Sequence, residues 1–568
     1  MSIFYSLNTG VSAYSNIDEP LSQLAFGARY TSYRNFDRFL DQTDDANLGL
    51  IVWPGGTLAE TRDDRFGFEY DGLYNPDTGK PSITEMMQTA IDEDAALSIV
   101  LPTARYADDP DAVVAELRAF LFDLLSGDLG TLPDTLIFEI GSEYYANFSG
   151  GIVDGAASQY GAVAEVIVSE IADALGDPAI NLFEADIDIA VQLGKTLEDD
   201  AAIRAELSTQ SIQHTDMVIH HRFAYAAEGI DPRIEELEAI LDGWSAAAQG
   251  ADPDLFVSAW NTVTLTRVGV LQDFIADEAA AGRIVAAEDV DLVGRTTTAF
   301  ENYWQAQLSE VSYGQEHAAY ILESFSSYAE AGMDAGAVYG VDLIHPGRLS
   351  FMGDDLTHYD FSGAEMIKMI YESVGNTHVL SSDADYSQDD PVTTYAFEND
   401  DKLIVFLASG DSGAGDVELQ IEGIGDTYKG VWGDRLSSET SADWMAMFGV
   451  PDNPDVDESA EAETYAVGAR EAASIQQDED SVKVTLNEPF EVVRLAFAKT
   501  ETGAAEIASW SDGAELDLEP PDTLPVIPTG DDGVDEDGDG TIDDFAMVAE
   551  AASMGGGGMF LLLLLLLV

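Results

Sequence analysis

Eight short runs rich in β-branched and aromatic residues recur along the first two thirds of the chain, separated by stretches with apolar residues at helical spacing. The runs are AFGARYT (25–31), LGLIVW (48–53), LSIVLP (97–102), TLIFEIG (135–141), IDIAVQL (187–193), MVIHHR (217–222), LFVSAW (255–260) and AGAVYGV (335–341). Strand-length apolar segments alternating with amphipathic helices mark a parallel sheet covered by helices. Eight repeats is the number that closes a barrel. An open doubly wound sheet would show the same alternation, but the chain has no glycine-rich phosphate turn of the kind such sheets carry. The expected fold class is therefore α/β, with a (β/α)8 barrel over residues 25–375.

Beyond a last helical stretch at 361–374 the pattern changes to period-two alternation in VTTYAF, KLIVFLA, VELQIEG, YKGVW, VKVTL and EVVRLAF. This predicts an antiparallel β-sandwich domain over 376–500. The segment 1–24 opens with IFYSL, which offers that domain one more strand. From 501 to 568 the expectation is a flexible acidic tail: a Pro-rich linker, an acidic segment and a hydrophobic end. In DEDGDGTIDD, Asp535, Asp537, Asp539 and Asp543 surround Gly540 in the spacing of the first part of a calcium loop. Position twelve is Ala546 instead of a bidentate Glu, so calcium binding and a merely acidic linker both stay open. The end, MGGGGMFLLLLLLLV, has ten closing apolar residues, too few to span a bilayer unaided. It resembles bacterial C-terminal sorting tails without their closing Arg/Lys, and suits contact with a membrane or secretion machinery.

Charge narrows the partners. With 107 acidic against 24 basic residues the formal net charge is -83. Such a surface repels nucleic acid and anionic lipid, because both are bound by neutralising phosphates with Lys and Arg. A hydrophobic fraction of 46% still supplies packed cores, so the acidity marks a solvated surface suited to salt rather than disorder. The chain has no Cys, hence no disulfide, thiolate metal site or Cys nucleophile. The start, MSIFYSLNTG, lacks the basic and apolar regions of a signal peptide. The expected location is secreted or cell-surface, reached without an N-terminal signal peptide.

In barrels of this type the chemistry sits at the carboxyl ends of the strands. Four segments end there with functional side chains. IFEIGSEYY places Glu143 just past the fourth run, beside Tyr144 and Tyr145, where partial desolvation would raise its pKa toward that of a general acid. IVWPGG ends the second run with Trp53 and a tight turn. MVIHHRF ends the sixth with His220 and His221, only one of which can face the axis. FVSAWNT ends the seventh with Trp260 and Asn261, and an aromatic face there would suit a sugar ring.

In their order and spacing these motifs resemble those of glycoside hydrolase clan A, especially the family 51 arabinofuranosidases and families 39 and 79, over roughly residues 20–500. The resemblance implies a polysaccharide or oligosaccharide partner, O-glycosyl hydrolysis with Glu143 as acid/base, and no catalytic cofactor. It implies substrate contacts from Trp53, Tyr144, His220, Trp260 and Asn261. Clan members are retaining enzymes with two carboxyl groups about 5–5.5 Å apart. Here the position matching the nucleophile is Ala259, and Ser142 replaces the Asn that usually precedes the acid/base. Three readings follow: a glycosidase whose second carboxylate has moved to Asp342, Glu184 or Glu69; a barrel that has lost hydrolysis and only binds carbohydrate; and a structural or adhesive surface protein. A strongly anionic glycan is disfavoured by the surface charge unless Arg29, Arg222 or Arg348 offsets it locally.

Overall fold

The computed structural model describes residues 3–10, 13–15, 19–30, 39–40, 47–55, 59–60, 81–148, 155–224, 230–250, 252–262, 267–287, 290, 298–308, 314–340, 350–352, 358–380, 391–410, 415–421, 428, 430–439, 467–477 and 481–510. Strand β1 is Ile3–Leu7. The next eight, β2 (Gly27–Arg29), β3 (Leu50–Trp53), β4 (Ala96–Leu101), β5 (Leu136–Ile140), β6 (Asp188–Gln192), β7 (Met217–Ala224), β8 (Asp254–Thr262) and β9 (Met333–Tyr339), close into a parallel barrel. Each of the eight apolar runs supplies one of these strands. β2 closes the circle by pairing Gly27 with Ala337 of β9 and Leu50 of β3.

Two cores follow from strand pleating, because residues i and i+2 share a face. Leu50, Val52, Ile137, Ala190, Ile219 and Phe256 belong to a cluster inside the barrel. Ile51, Phe138, Val191, Val218 and Val257 point the other way, into a continuous core with helix residues such as Met86, Leu117, Ile167 and Leu237. The helices carry ordinary start signals; Ser82, for example, forms a reciprocal capping box with Glu85 at the head of Ile83–Asp92.

After a short antiparallel pair, β10 (Ser350–Met352) with β11 (His358–Asp360), and the helix Ser362–Ser373, the remaining strands form two sheets. These strands are β12 (His378–Leu380), β13 (Val392–Glu398), β14 (Lys402–Ser409), β15 (Gly415–Ile421), β16 (Gly430–Glu439), β17 (Val467–Ala472), β18 (Gln476–Gln477), β19 (Ser481–Leu486) and β20 (Val492–Ala498). One sheet runs β12-β13-β14-β20-β16-β17 and the other β1-β15-β19-β18, with β1 parallel to β15. Leu403, Val405 and Leu407 of β14 meet Val417, Leu419 and Ile421 of β15 between the sheets. Ile404 and Phe406 face the barrel core instead. Both faces of β14 are covered, and all eight of its residues are buried.

The expected linker from 501 is corrected at its start. Glu501–Trp510 is a helix whose buried residues, Gly503, Ile507 and Trp510, recur at helical spacing. It docks on the six-stranded sheet through Lys402–Glu506 (2.5 Å), and Arg494 lies 5.2 Å from the Trp432 ring and 5.1 Å from that of Trp510. Asp535, Asp537, Asp539 and Asp543, and with them the calcium expectation and the hydrophobic end, lie outside the described residues. No helix among the described residues is long and apolar enough to cross a membrane.

Candidate functional site at the carboxyl end of the barrel

One pleat step beyond the inner apolar cluster the barrel interior turns polar. Two residues after Ile137 comes Glu139, after Ile219 comes His221, after Phe256 comes Ser258, and β2 contributes Arg29. Arg29 and Glu139 are 1% and 0% exposed and pair in a two-bond fork, Nη2 to Oε1 at 3.0 Å and Nη1 to Oε2 at 3.2 Å. Ser258 completes the ring: its hydroxyl accepts from Arg29 Nη1 at 2.6 Å and donates to Glu139 Oε2 at 3.2 Å. A buried guanidinium and carboxylate persist only when paired and bonded in this way.

Above this layer stands Glu143, in the turn between β5 and the short helix Tyr144–Asn147. His221 bridges the two carboxylates, with Nε2 3.6 Å from Glu139 Oε1 and Nδ1 3.6 Å from Glu143 Oε1. Tyr145 donates its hydroxyl to Glu143 Oε1 at 3.3 Å. Burial pushes both carboxyl groups up, but opposite charge outweighs it. Arg29 and His221 hold Glu139 below its ordinary range, and His221, with help from Arg29 and Tyr145, does the same for Glu143. Burial pushes His221 down, yet the two glutamates beside it leave it raised overall. The expectation that Glu143 carries a raised pKa is therefore corrected: burial is the largest single influence and raises it, but His221, Arg29 and Tyr145 together outweigh it.

The structure brings together a different set of side chains from the predicted one. His220 turns outward and packs edge-on against Tyr328, with centroids 5.8 Å apart, while His221 takes the axial position. Tyr144 is 2% exposed, stacks on Tyr160 at 5.3 Å and accepts the Lys195 N–H at 2.9 Å, so Tyr145 is the tyrosine at the site. Trp53 and Trp260, 4% and 0% exposed, belong to the core between strands and helices and do not line a groove. Asn261 is fully buried, its amide donating to Tyr339 O at 2.5 Å and its Oδ1 2.7 Å from His317 Nε2, which locks β8 to β9 and the helix Gln315–Glu330.

Among the candidates for a moved carboxylate, Glu184 is exposed and precedes β6, at the opposite end of the barrel from Glu143. Asp342 and Glu69 lie outside the described residues, as do Arg348 and the side chain of Arg222. Arg29 is committed to Glu139 and offers nothing to an anionic glycan. Ala259 is 1% exposed, next to Ser258 of the polar layer.

A small open cleft of about 40 Å³ adjoins the site, lined in part by Tyr145, Gln192, Lys195, His220, His221 and Glu236. The segments 225–229, 263–266 and 341–349, which follow β7, β8 and β9, lie outside the described residues. Among the described residues no group of three or more His, Asp or Glu is arranged to hold a metal ion.

Sequence reading missed Glu139 and Ser258 and named Arg29 and His221 without this arrangement, yet all four carried a signal. Each is a polar residue inside an apolar run, and counting pleat parity along those runs separates them from their neighbours.

Comparison with solved structures gives the class. The chain superposes on a family 51 α-L-arabinofuranosidase from Bifidobacterium longum with a TM-score of 0.56 at 10% identity, covering 87% of this chain and 99% of that one. It superposes on a family 51 arabinofuranosidase from Xanthomonas axonopodis pv. citri with a TM-score of 0.53 at 13% identity, covering 84% and 98%. The fold is that of the clan A glycoside hydrolase barrel with its accompanying β domain. No family model matches the sequence.

Among curated sequences, a subunit of the aspartyl/glutamyl-tRNA(Asn/Gln) amidotransferase from Cupriavidus metallidurans is 26% identical over 265 residues, 46% of this chain and 49% of that protein. Its counterpart from Cupriavidus pinatubonensis is 25% identical over 264 residues. The chain thus spans about half the length of the curated relatives it matches, and identity of that order assigns no family.

Proposed function

We propose that the carboxyl end of the barrel is a carbohydrate site centred on Glu143, which binds an extracellular polysaccharide and does not carry out retaining hydrolysis. The observation behind this reading is the surroundings of Glu143: its Oε1 lies 3.6 Å from His221 Nδ1 and accepts the Tyr145 hydroxyl at 3.3 Å, neighbours that favour the carboxylate, an acceptor for sugar hydroxyls. The position that the resemblance assigns to the nucleophile is Ala259, which cannot form a glycosyl–enzyme bond. Loss of a nucleophile from a cooperating set costs roughly 10⁴ to 10⁶ in turnover in a protease triad. The acidity of the chain supports an extracellular, saline setting.

A second reading, hydrolysis with Glu143 as acid/base and a relocated carboxylate, is favoured by one observation. Glu143 stands directly above buried Arg29, Glu139 and His221, and groups with displaced pKa values, here Glu139, Glu143 and His221, concentrate at reactive sites. A glycan array and hydrolysis screen of the wild type, Glu143→Gln and Ala259→Glu separates the two. Binding in the wild type, weakened in Glu143→Gln, with hydrolysis only in Ala259→Glu, is the expected result. Wild-type hydrolysis abolished by Glu143→Gln establishes the second reading. Glycan binding unchanged in Glu143→Gln removes Glu143 from both.

A further inference from the structure

Glu60 follows β3 and is 5% exposed. Its carboxylate accepts four hydrogen bonds. Oε2 takes the backbone N–H of Thr103 at 2.7 Å and of Ala104 at 2.7 Å, and Oε1 takes the Thr103 hydroxyl at 2.8 Å and the Ser142 N–H at 2.9 Å. Thr103 and Ala104 follow β4 and Ser142 follows β5, so one carboxylate ties together three successive strand ends. An ionised carboxylate offers about four acceptor positions and no donor, which matches four converging donors. A glutamine would turn its NH₂ toward two of them.

Ser142 immediately precedes Glu143, and this turn is unusual. Gly141 has φ +75° and Glu143 has φ +47°, in the left-handed region that side chains rarely adopt. A Cβ on Gly141 would lie 2.5 Å from Thr103 Oγ1 and 3.1 Å from Glu60 Oε1, so the turn is moulded against that pair. From the other side Gln192 Nε2 donates to Gly141 O at 2.6 Å, and Asn147 Nδ2 donates to Ser142 O at 2.6 Å.

We infer that Glu60 is a positioning residue: it sets the turn that brings Glu143 against His221, and so acts on the site without contacting what the site binds. The inference rests on Glu143 being the central carboxylate of the site.

Its test is a titration of His221 in the full-length chain by NMR, using ¹³C-labelled histidine. There are seven histidines, and His221 is assigned by its loss in His221→Gln. Replacing Glu143 by Gln removes a charge next to the ring and lowers the His221 midpoint by about one pH unit. Glu60→Gln is expected to lower it by a comparable amount, and the double variant Glu60→Gln/Glu143→Gln no further than Glu143→Gln alone, because coupled residues are non-additive. A Glu60 that merely stiffens the barrel rim would lower Tm and leave the His221 midpoint at its wild-type value, which overturns the inference. So does a further, independent fall in the double variant. Should Glu60→Gln fail to fold, Thr103→Val removes one of the four bonds and is expected to give a smaller fall of the same kind; no fall overturns the inference. The titration uses no sugar, so a chain that binds no glycan can still show the coupling, and one that binds glycan can lack it.

Discussion

At the carboxyl ends of the barrel strands two of the buried carboxylates, Glu139 and Glu143, face Arg29 and His221. At the amino ends of four consecutive strands, Asp188, Asp216, Asp254 and Asp334 lie near other carboxylates, Asp186 and Glu19 among them. The first pair is held below the ordinary carboxylate range. Burial, then repulsion from Asp216, Asp186 and Asp254, pushes Asp188 up to about 6; burial, then Asp254, does the same for Asp334, again to about 6. Asp216 and Asp254 are raised as well, by burial first. Both ends displace the pKa of acidic residues, so displacement alone does not mark the site. Nor does the sign alone, because burial also raises Glu60 at the site end; the partners do: at one end Glu139 and Glu143 meet opposite charge at the cost of burial, and at the other a strongly acidic chain crowds like charges against its own base.

The largest test of this contrast is Arg29→Met. It leaves Glu139 buried without its cation, and removing one member of a buried pair costs about 3–5 kcal/mol. The expected outcome is a markedly lower denaturant midpoint. A stability close to wild type would show that Glu139 is held by something other than Arg29.

Asp188→Asn probes the other end and is expected to act in the opposite direction, raising Tm at neutral pH. A carboxyl whose folded pKa lies above its unfolded value keeps its proton longer in the folded chain, so stability falls as pH rises between the ordinary value of 3.8 and about 6. The wild type therefore gains stability from this group on acidification across that window, and the variant lacks the gain. Glu139 and Glu143 work the other way: their contribution is present above the usual carboxylate range and is lost as pH falls through their lowered folded values. His221 contributes fully below 6.5 and loses its contribution as pH rises through its raised folded value. Melting curves from pH 4 to 8 separate these slopes. Added salt should raise Tm of the wild type more than that of Asp188→Asn, because half-exposed like charges are screened whereas buried pairs are not.

The smallest expected effect is that of Tyr145→Phe, which removes one long bond to Glu143 at a cost of about 0.5–1.5 kcal/mol. A negligible change in both Tm and the His221 titration would make Tyr145 a bystander and leave His221 alone to hold Glu143.

Much of the architecture was legible in the chain. The eight apolar runs each overlap a barrel strand, and the period-two stretches supply most strands of the two sheets beyond it, because periodicity reports which face of an element is buried. The site was legible only to within one residue. Tyr144 and Tyr145 are neighbours, as are His220 and His221: Tyr144 is buried where Tyr145 reaches Glu143, and His221 lies between the two glutamates while partly buried His220 packs against Tyr328 and lines the adjoining cleft. Adjacent positions in a strand face opposite ways, so an error of one residue changes a site residue into a packing residue. Large aromatic side chains at strand ends, Trp53 and Trp260, drew attention by type, yet their area contributes more in the barrel–helix core than at an open rim. Glu501–Trp510 was hidden for a different reason: its three buried residues are set among polar ones, and only the sheet beneath gives them something to cover.

The order of apolar and polar residues along this chain was sufficient to specify a closed barrel followed by a β-sandwich, since local periodicity and the count of repeats are properties of the chain itself. Which charges meet was decided by closure. Arg29 and Glu139 stand 110 positions apart, and Arg29 and Ser258 stand 229 apart. They become partners because the barrel points inward-facing residues of separate strands at a common axis, where low dielectric makes each charge depend on its neighbour.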